Sequence, residues 1–277
     1  MTETIVLIHG LWMTPRSWDN FTYFFEDYGL RVCAPAWPGI EGELAVRHDP
    51  SPLAGLGIAE IADHYESFVR SLPEPPILIG HSIGGLIVQL LVARGLGTAA
   101  VAINAMPPRD VWRLPWPAIK AAAPVLSNPF NWRRTVELTF DQFRWAFAHV
   151  MTEEDAVDAY DDYVIAGPGR IIFEQALSNF NPWARNRVNR FSNYRAPLLL
   201  IAGGEDRLAP PAQVKANYSR YRVSEATTDY KEFPRRSHLI IAQDGWEEVA
   251  AYALGWAEAN KRGAGQVDQT QKKEQAI

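Results

Sequence analysis

Ile77-Leu78-Ile79-Gly80-His81-Ser82-Ile83-Gly84-Gly85-Leu86-Ile87-Val88 joins a short apolar run to a serine between glycines and then to residues with helical spacing. A G-x-S-x-G segment lets a strand turn sharply into a helix, because Gly80 and Gly84 carry no Cβ where the chain doubles back. Ser82 is left at the apex. The helix that follows, about Ile83 to Arg94 with Leu86, Ile87, Leu90 and Leu91 as apolar positions, aims its N-terminal N–H groups and the positive end of its dipole at Ser82. An oxyanion formed there would be stabilised.

Upstream, Thr4 to Ile8 is a β-branched apolar run suited to a strand buried on both faces of a mostly parallel sheet. It ends in His9-Gly10-Leu11-Trp12, a tight turn that can present the Leu11 N–H to a cleft. Thr14-Pro15 then predicts a helix with Thr14 as N-cap, running through Trp18, Phe21, Phe24 and Phe25 to Gly29. Leu30 to Ala34 reads as a second strand. Residues 43 to 56 read as a Pro/Gly-punctuated excursion, and Ile58 to Leu72 as a helix. Downstream, Ala99 to Asn104, Ala196 to Ala202 and Tyr230 to Phe233 read as strands, and Gly245 to Glu258 as an amphipathic helix.

Between Pro108 and Ala196 the composition changes. Residues 109–195 hold Trp112, Trp116, Trp132, Trp145 and Trp183 together with seven of the twelve phenylalanines, in helical patterning, and read as an insertion. Its acidic run, Glu153-Glu154-Asp155 with Asp158, Asp161 and Asp162, lacks metal-loop spacing and reads as a solvated helix face. Arg185, Arg187, Arg190 and Arg195 read as salt-bridged surface. From Lys261 onward the apolar pattern stops, which predicts a disordered tail over 261–277.

Composition sets the outer limits. The 277 residues, 47% hydrophobic and 21% charged, suffice for one α/β domain with an insertion, and a net charge of -5 argues against nucleic acid as a partner. Cys33, the single cysteine, has no disulfide partner within the chain and reads as a small apolar residue on a strand. The run Ile5 to Ile8 is too short for a signal peptide core or a membrane span, so a soluble chain in the cytoplasm is expected.

Three signals stand at the C-terminal ends of expected parallel strands, in the order Ser82, Asp206 (within Gly203-Gly204-Glu205-Asp206) and His238 (within Ser237-His238). Brought together, they would form a nucleophile, an orienting acid and a base. Glu205 and Asp110 are the competing acids. His9 and His81 read as packing or loop residues, His48 and His64 as surface or edge, and His149 has no evident partner. With His9-Gly10 and Pro210 added, these motifs resemble the α/β-hydrolase family over residues 4–106 and 196–258.

That resemblance implies an α/β fold, a mostly parallel sheet flanked by helices. Its core would comprise 1–108 and 196–260, with 109–195 as a helical lid. It implies Ser82 as nucleophile, His238 as base, Asp206 as its partner, and the N–H groups of Leu11 and Ile83 as an oxyanion hole. Trp12, His81, Met106 and Trp145 are the expected pocket residues, with no cofactor and no metal. The expected reaction is hydrolysis of an apolar carboxylic ester, lactone or thioester through an acyl-enzyme on Ser82. A perhydrolase or lyase, and a slow-turnover receptor-like binding protein, are the alternatives. The start directly at the strand before His9-Gly10 resembles the short plant esterase and hydroxynitrile lyase branch. Hydroxynitrile lyases, however, have Thr at the place of Gly10 and Lys at the place of Leu239, which favours hydrolysis. Ser237 stands where Gly is common, and Arg235-Arg236 makes a cationic approach to His238.

Overall fold

Successive side chains of a strand point to opposite faces, so a continuous apolar run needs cover on both sides. The computed structural model describes residues 2–40, 42–112 and 115–263. In chain order it contains β1 (Thr4–Ile8), α1 (Asp19–Asp27), β2 (Arg31–Cys33), α2 (Glu43–His48), α3 (Ile58–Ser71), β3 (Ile77–His81), α4 (Ile83–Ala93) and β4 (Ala100–Ile103). There follow α5 (Trp116–Leu126), β5 (Thr135–Val136), α6 (Phe140–Ala146), α7 (Glu153–Tyr163), β6 (Gly167–Pro168) and α8 (Gly169–Leu177). The chain then returns through β7 (Leu198–Gly203), α9 (Pro211–Arg220), β8 (Thr228–Phe233) and α10 (Trp246–Asn260).

Six strands form one parallel sheet in the order β2-β1-β3-β4-β7-β8. The expected alternation sorts its residues between two cores. Val6, Ile8, Leu78, Ala100, Ala102, Leu198 and Leu200 face the core shared with α3, α4 and α9. Ile5, Leu7, Ile77, Ile79, Val101, Ile103, Leu199 and Ile201 face the core shared with α1 and α10. Strand order reverses between β1 and β3, so the loops leaving their C-terminal ends diverge and open a crevice. The His9–Trp12 turn and Ser82 are at its rim.

Local chemistry moves several expected boundaries. The segment after Thr14 starts as a 3-10 turn, Pro15–Trp18, and Thr14 caps it through its main-chain carbonyl, which accepts from the Ser17 N–H and hydroxyl. The excursion at 43–56 contains α2, because Glu43 and Arg47 pair one turn apart. α4 is buried along its length from Ile83 to Val92 rather than on one stripe, since the sheet lies under it and α3 and α9 flank it. The segment between β4 and β7 is helical, with the added antiparallel pair β5-β6.

Two of the expected surface arginines are buried. Arg190 pairs with Asp110 at 2.9 Å and lies over the Tyr221 ring. Arg195 lies over the same ring and donates to the carbonyls of Ala196, Ala226 and Thr227. Lys261 and Arg262 belong to the fold: Lys261 pairs with Glu3 and Glu258, and the Arg262 N–H donates to the Thr98 carbonyl. The rest of the expected tail, from residue 264, lies outside the described residues.

Candidate active site

Ser82 has φ 57° and ψ −118°, a conformation rare for a residue with a Cβ and held only where the surroundings impose it. The imposition is steric. A Cβ on Gly80 would lie 2.3 Å from the Gly84 carbonyl oxygen, and one on Gly84 only 2.0 Å from that of Ile8, so β1, β3 and α4 can close around the turn only with glycine at both places. The Ser82 N–H donates to the Ile103 carbonyl, and its own carbonyl accepts from Met106 and Leu86.

Asp206 lies past the end of β7. Its Oδ1 accepts from the N–H groups of Leu208 (2.7 Å) and Ala209 (2.9 Å), which orients the carboxylate and leaves Oδ2 for His238 Nδ1 at 2.7 Å. The carboxylate only accepts, so Nδ1 carries the imidazole proton and Nε2 is bare. Nε2 is 2.9 Å from Ser82 Oγ, placed to accept the hydroxyl proton. The side chains of Asp206 and His238 are both fully buried.

The loop carrying His238 is pinned by groups the motifs did not flag. Ser237 donates its N–H and hydroxyl to Gln243 Oε1, and Gln243 Nε2 donates to the Arg235 carbonyl. The Arg236 guanidinium donates to the carbonyls of Asp244 and Gly245, at the start of α10. The Phe147 ring meets the imidazole edge-on at 4.9 Å. Asn104, buried with φ 45°, donates to the carbonyls of Ser237 and His238 and accepts from the Gly203 N–H. An Asn at a strand end is the only sequence signal it offers, since Asn tolerates left-handed backbone.

The Leu11 N–H enters no hydrogen bond among the described residues. The Ile83 N–H, first in α4, has no acceptor within its helix. Both residues line a cavity of about 270 Å³ that opens onto Ser82. Trp12 and Met106 line it too, with Ala122, Phe147 and Ile172.

His81 does not line this cavity. It is buried behind His238, with Nε2 2.7 Å from the His238 carbonyl, and burial together with His238 holds its pKa well below the ordinary imidazole range. Trp145 lines instead a neighbouring cavity of about 350 Å³, which shares Trp12, Ala121 and Phe147 with the first. There its ring lies 4.2 Å from Lys120 Nζ and 5.0 Å from the Arg207 guanidinium, which also donates to the Trp145 carbonyl.

The competing acids are elsewhere: Glu205 is exposed and Asp110 is bound to Arg190. His9 stacks on Trp37 at 4.8 Å, and burial lowers its pKa to about 4. His48 is exposed, and His64 is bonded to the Ala36 carbonyl. His149, half-buried after α6, takes no part in the bonds around Ser82. Among the described residues no helix is long and apolar enough to cross a membrane, and no His, Cys, Asp and Glu cluster has the makings of a metal site.

A sequence model of the alpha/beta hydrolase family matches residues 5–252. No curated protein is similar enough in sequence to match. Solved structures of similar shape include the monoacylglycerol lipase of Paleococcus ferrophilus, at TM-score 0.63 and 20% identity over 94% of this chain and 96% of that one. A methylesterase from Arabidopsis matches at TM-score 0.65 and 17% identity over 93% and 99% of the two chains. Tomato methylketone synthase I, complexed with 2-tridecanone, matches at 0.68 and 18% over 94% and 100%. Identities this low speak for a shared fold.

Proposed function

Since the chain belongs to the alpha/beta hydrolase family, we propose that it hydrolyses carboxylic esters of apolar small molecules through an acyl-enzyme on Ser82. The observation that carries this reading is the chain of bonds from Asp206 through His238 to Ser82 Oγ, ending in an apolar cavity. The esterase and lipase neighbours agree with it.

As the Ser82 oxygen attacks the ester carbonyl, its proton passes to His238 Nε2. The imidazolium is stabilised by the Asp206 carboxylate, which holds Nδ1–H throughout. The carbonyl oxygen gains negative charge between the N–H groups of Leu11 and Ile83, each worth about 2.7 to 4 kcal/mol in comparable sites. The tetrahedral adduct collapses, His238 returns its proton to the departing alcohol, and an acyl group remains on Ser82. Water, deprotonated by the same nitrogen, then releases the acid.

The cavity wall argues for the substrate class. Leu11, Trp12, Met106, Ala122, Phe147 and Ile172 offer no charge to a ligand, so an aliphatic or aromatic group gains about 0.8 kcal/mol per methylene placed there. Residues 109–195 act as the lid, because α5 and α8 supply Ala122 and Ile172 to that wall.

Initial rates on p-nitrophenyl esters of increasing acyl length, with product analysis, test the reading. Free acid and alcohol in equal amounts, with an optimum above acetate, support it. Release of p-nitrophenol without a matching amount of free acid, or no turnover at any length, would refute it.

A further inference from the structure

Nothing in the reaction as described uses His81 or Asn104, yet both are buried polar residues bonded to the same carbonyl. His81 Nε2 lies 2.7 Å from the main-chain oxygen of His238, and Asn104 Nδ2 lies 3.1 Å from it. We infer that His81 and Asn104 are positioning residues, which hold the main chain on both sides of His238 and thereby set its imidazole against Ser82 and Asp206. The inference rests on the esterase reading of Ser82.

His238 lies in the irregular segment between β8 and α10, where no ladder or helix fixes the backbone. An imidazole that must meet two partners at 2.7 and 2.9 Å tolerates displacement of only about half an ångström. The peptide unit before its Cα contains the Ser237 carbonyl, which accepts from Asn104 Nδ2 at 2.9 Å. The unit after it contains the His238 carbonyl, which accepts from both Asn104 and His81, and the Leu239 N–H, which donates to the Phe147 carbonyl at 3.0 Å. Both flanking peptide planes are therefore fixed, and one asparagine amide bonds to each.

The other ends of these bonds reach the remaining two partners. Asn104 Oδ1 accepts from the Gly203 N–H at 2.6 Å, and the Gly203 carbonyl in turn accepts from the Asp206 N–H. His81 is the residue before Ser82. The loops bearing serine, acid and base thus meet at the His238 carbonyl.

Packing alone explains neither residue. His81 Nδ1 is buried with no partner, a cost that a phenylalanine of similar shape would avoid. Asn104 holds φ 45°, and its side chain uses both its donor and its acceptor groups. Each residue is explained by the carbonyl it holds.

The test is kcat and KM, measured separately on p-nitrophenyl butyrate, for wild type, His81→Phe, His81→Gln and Asn104→Ser, each corrected for folded protein by near-ultraviolet circular dichroism. A displacement near 1 Å can cost about 100-fold in rate. His81→Phe and Asn104→Ser are therefore expected to lose on the order of 10- to 100-fold in kcat with KM within about twofold. His81→Gln, whose amide nitrogen reaches the place of imidazole Nε2, is expected to recover most of kcat.

Wild-type kcat in folded His81→Phe, or a His81→Gln as slow as His81→Phe, overturns the role of His81. Wild-type kcat in Asn104→Ser overturns that of Asn104. If His81→Phe does not fold, the contrast between His81→Gln and Asn104→Ser decides: an active first and a slow second support the inference, and equal rates overturn it. A wild type with no esterase activity would instead remove the reading on which the inference rests.

Discussion

Replacing Asp206 by Asn tests the proton bookkeeping of the site at nearly constant shape. Oδ1 of Asp206 accepts from two backbone N–H groups, those of Leu208 and Ala209. An asparagine keeps both bonds only by turning its oxygen to them, which points its NH2 at His238 Nδ1. Two donors cannot face each other, so the imidazole proton moves to Nε2, the atom that must be bare to take the Ser82 proton. The expected loss is about 10⁴-fold in kcat, as for the same change in serine proteases, or between 5 and 6 kcal/mol at about 1.4 kcal/mol per decade. KM should stay near wild type, because Asp206 does not line the cavity. Steady-state rates on p-nitrophenyl butyrate at pH 8, alongside a thermal melt, read both quantities. A folded Asp206→Asn within tenfold of wild-type kcat would refute the assigned role.

Three further outcomes follow from the same geometry. Gly84→Ala would place a methyl 2.0 Å from the Ile8 carbonyl oxygen, so the variant should be insoluble or lose several kcal/mol in urea unfolding, and a wild-type midpoint would contradict the packing described. Ala122→Phe should shorten the preferred acyl chain by several carbons while sparing acetate turnover, and an unchanged optimum in the ester series would exclude this cavity as the acyl site. His9 is buried and neutral with a pKa near 4, so below about pH 6.5 the unfolded chain binds a proton that the folded one excludes. Its contribution, about 3 kcal/mol, is complete above pH 6.5 and lost as pH falls towards 4. Urea midpoints for wild type and His9→Phe at pH 7.5 and 5 should differ in slope, and parallel losses would refute the assignment.

How far the sequence could be read depended on whether a feature is written in neighbouring residues. The apolar runs at Ile5 to Ile8, Ile77 to Ile79 and Leu198 to Ile201 are local, and so is the need for glycine around Ser82, so sheet and turn were legible. The convergence of Ser82, Asp206 and His238 needed three motifs read together, and their distances emerge only in the folded chain. Arg190 and Arg195 were misjudged because their cover, the Tyr221 ring, is far along the chain. Trp145 is an expected pocket residue, but its ring meets the cations of Lys120 and Arg207 at the next cavity, contacts that spacing does not encode. His81 reads as a packing or loop residue and, flanking Ser82, also as a pocket residue facing substrate. Strand alternation instead turns it behind His238, which is where its nitrogen finds the carbonyl.

Ser82 as nucleophile is the centre of the account, and covalent labelling tests it without knowledge of the natural substrate. The protein is treated with a fluorophosphonate, digested, and the modified peptide identified by mass spectrometry, with p-nitrophenyl butyrate turnover followed in parallel. One adduct per chain is expected, on Ser82, forming in step with loss of activity, with neither label nor turnover in Ser82→Ala. Labelling at another residue, or a Ser82→Ala that still turns over ester at the wild-type rate, would contradict it.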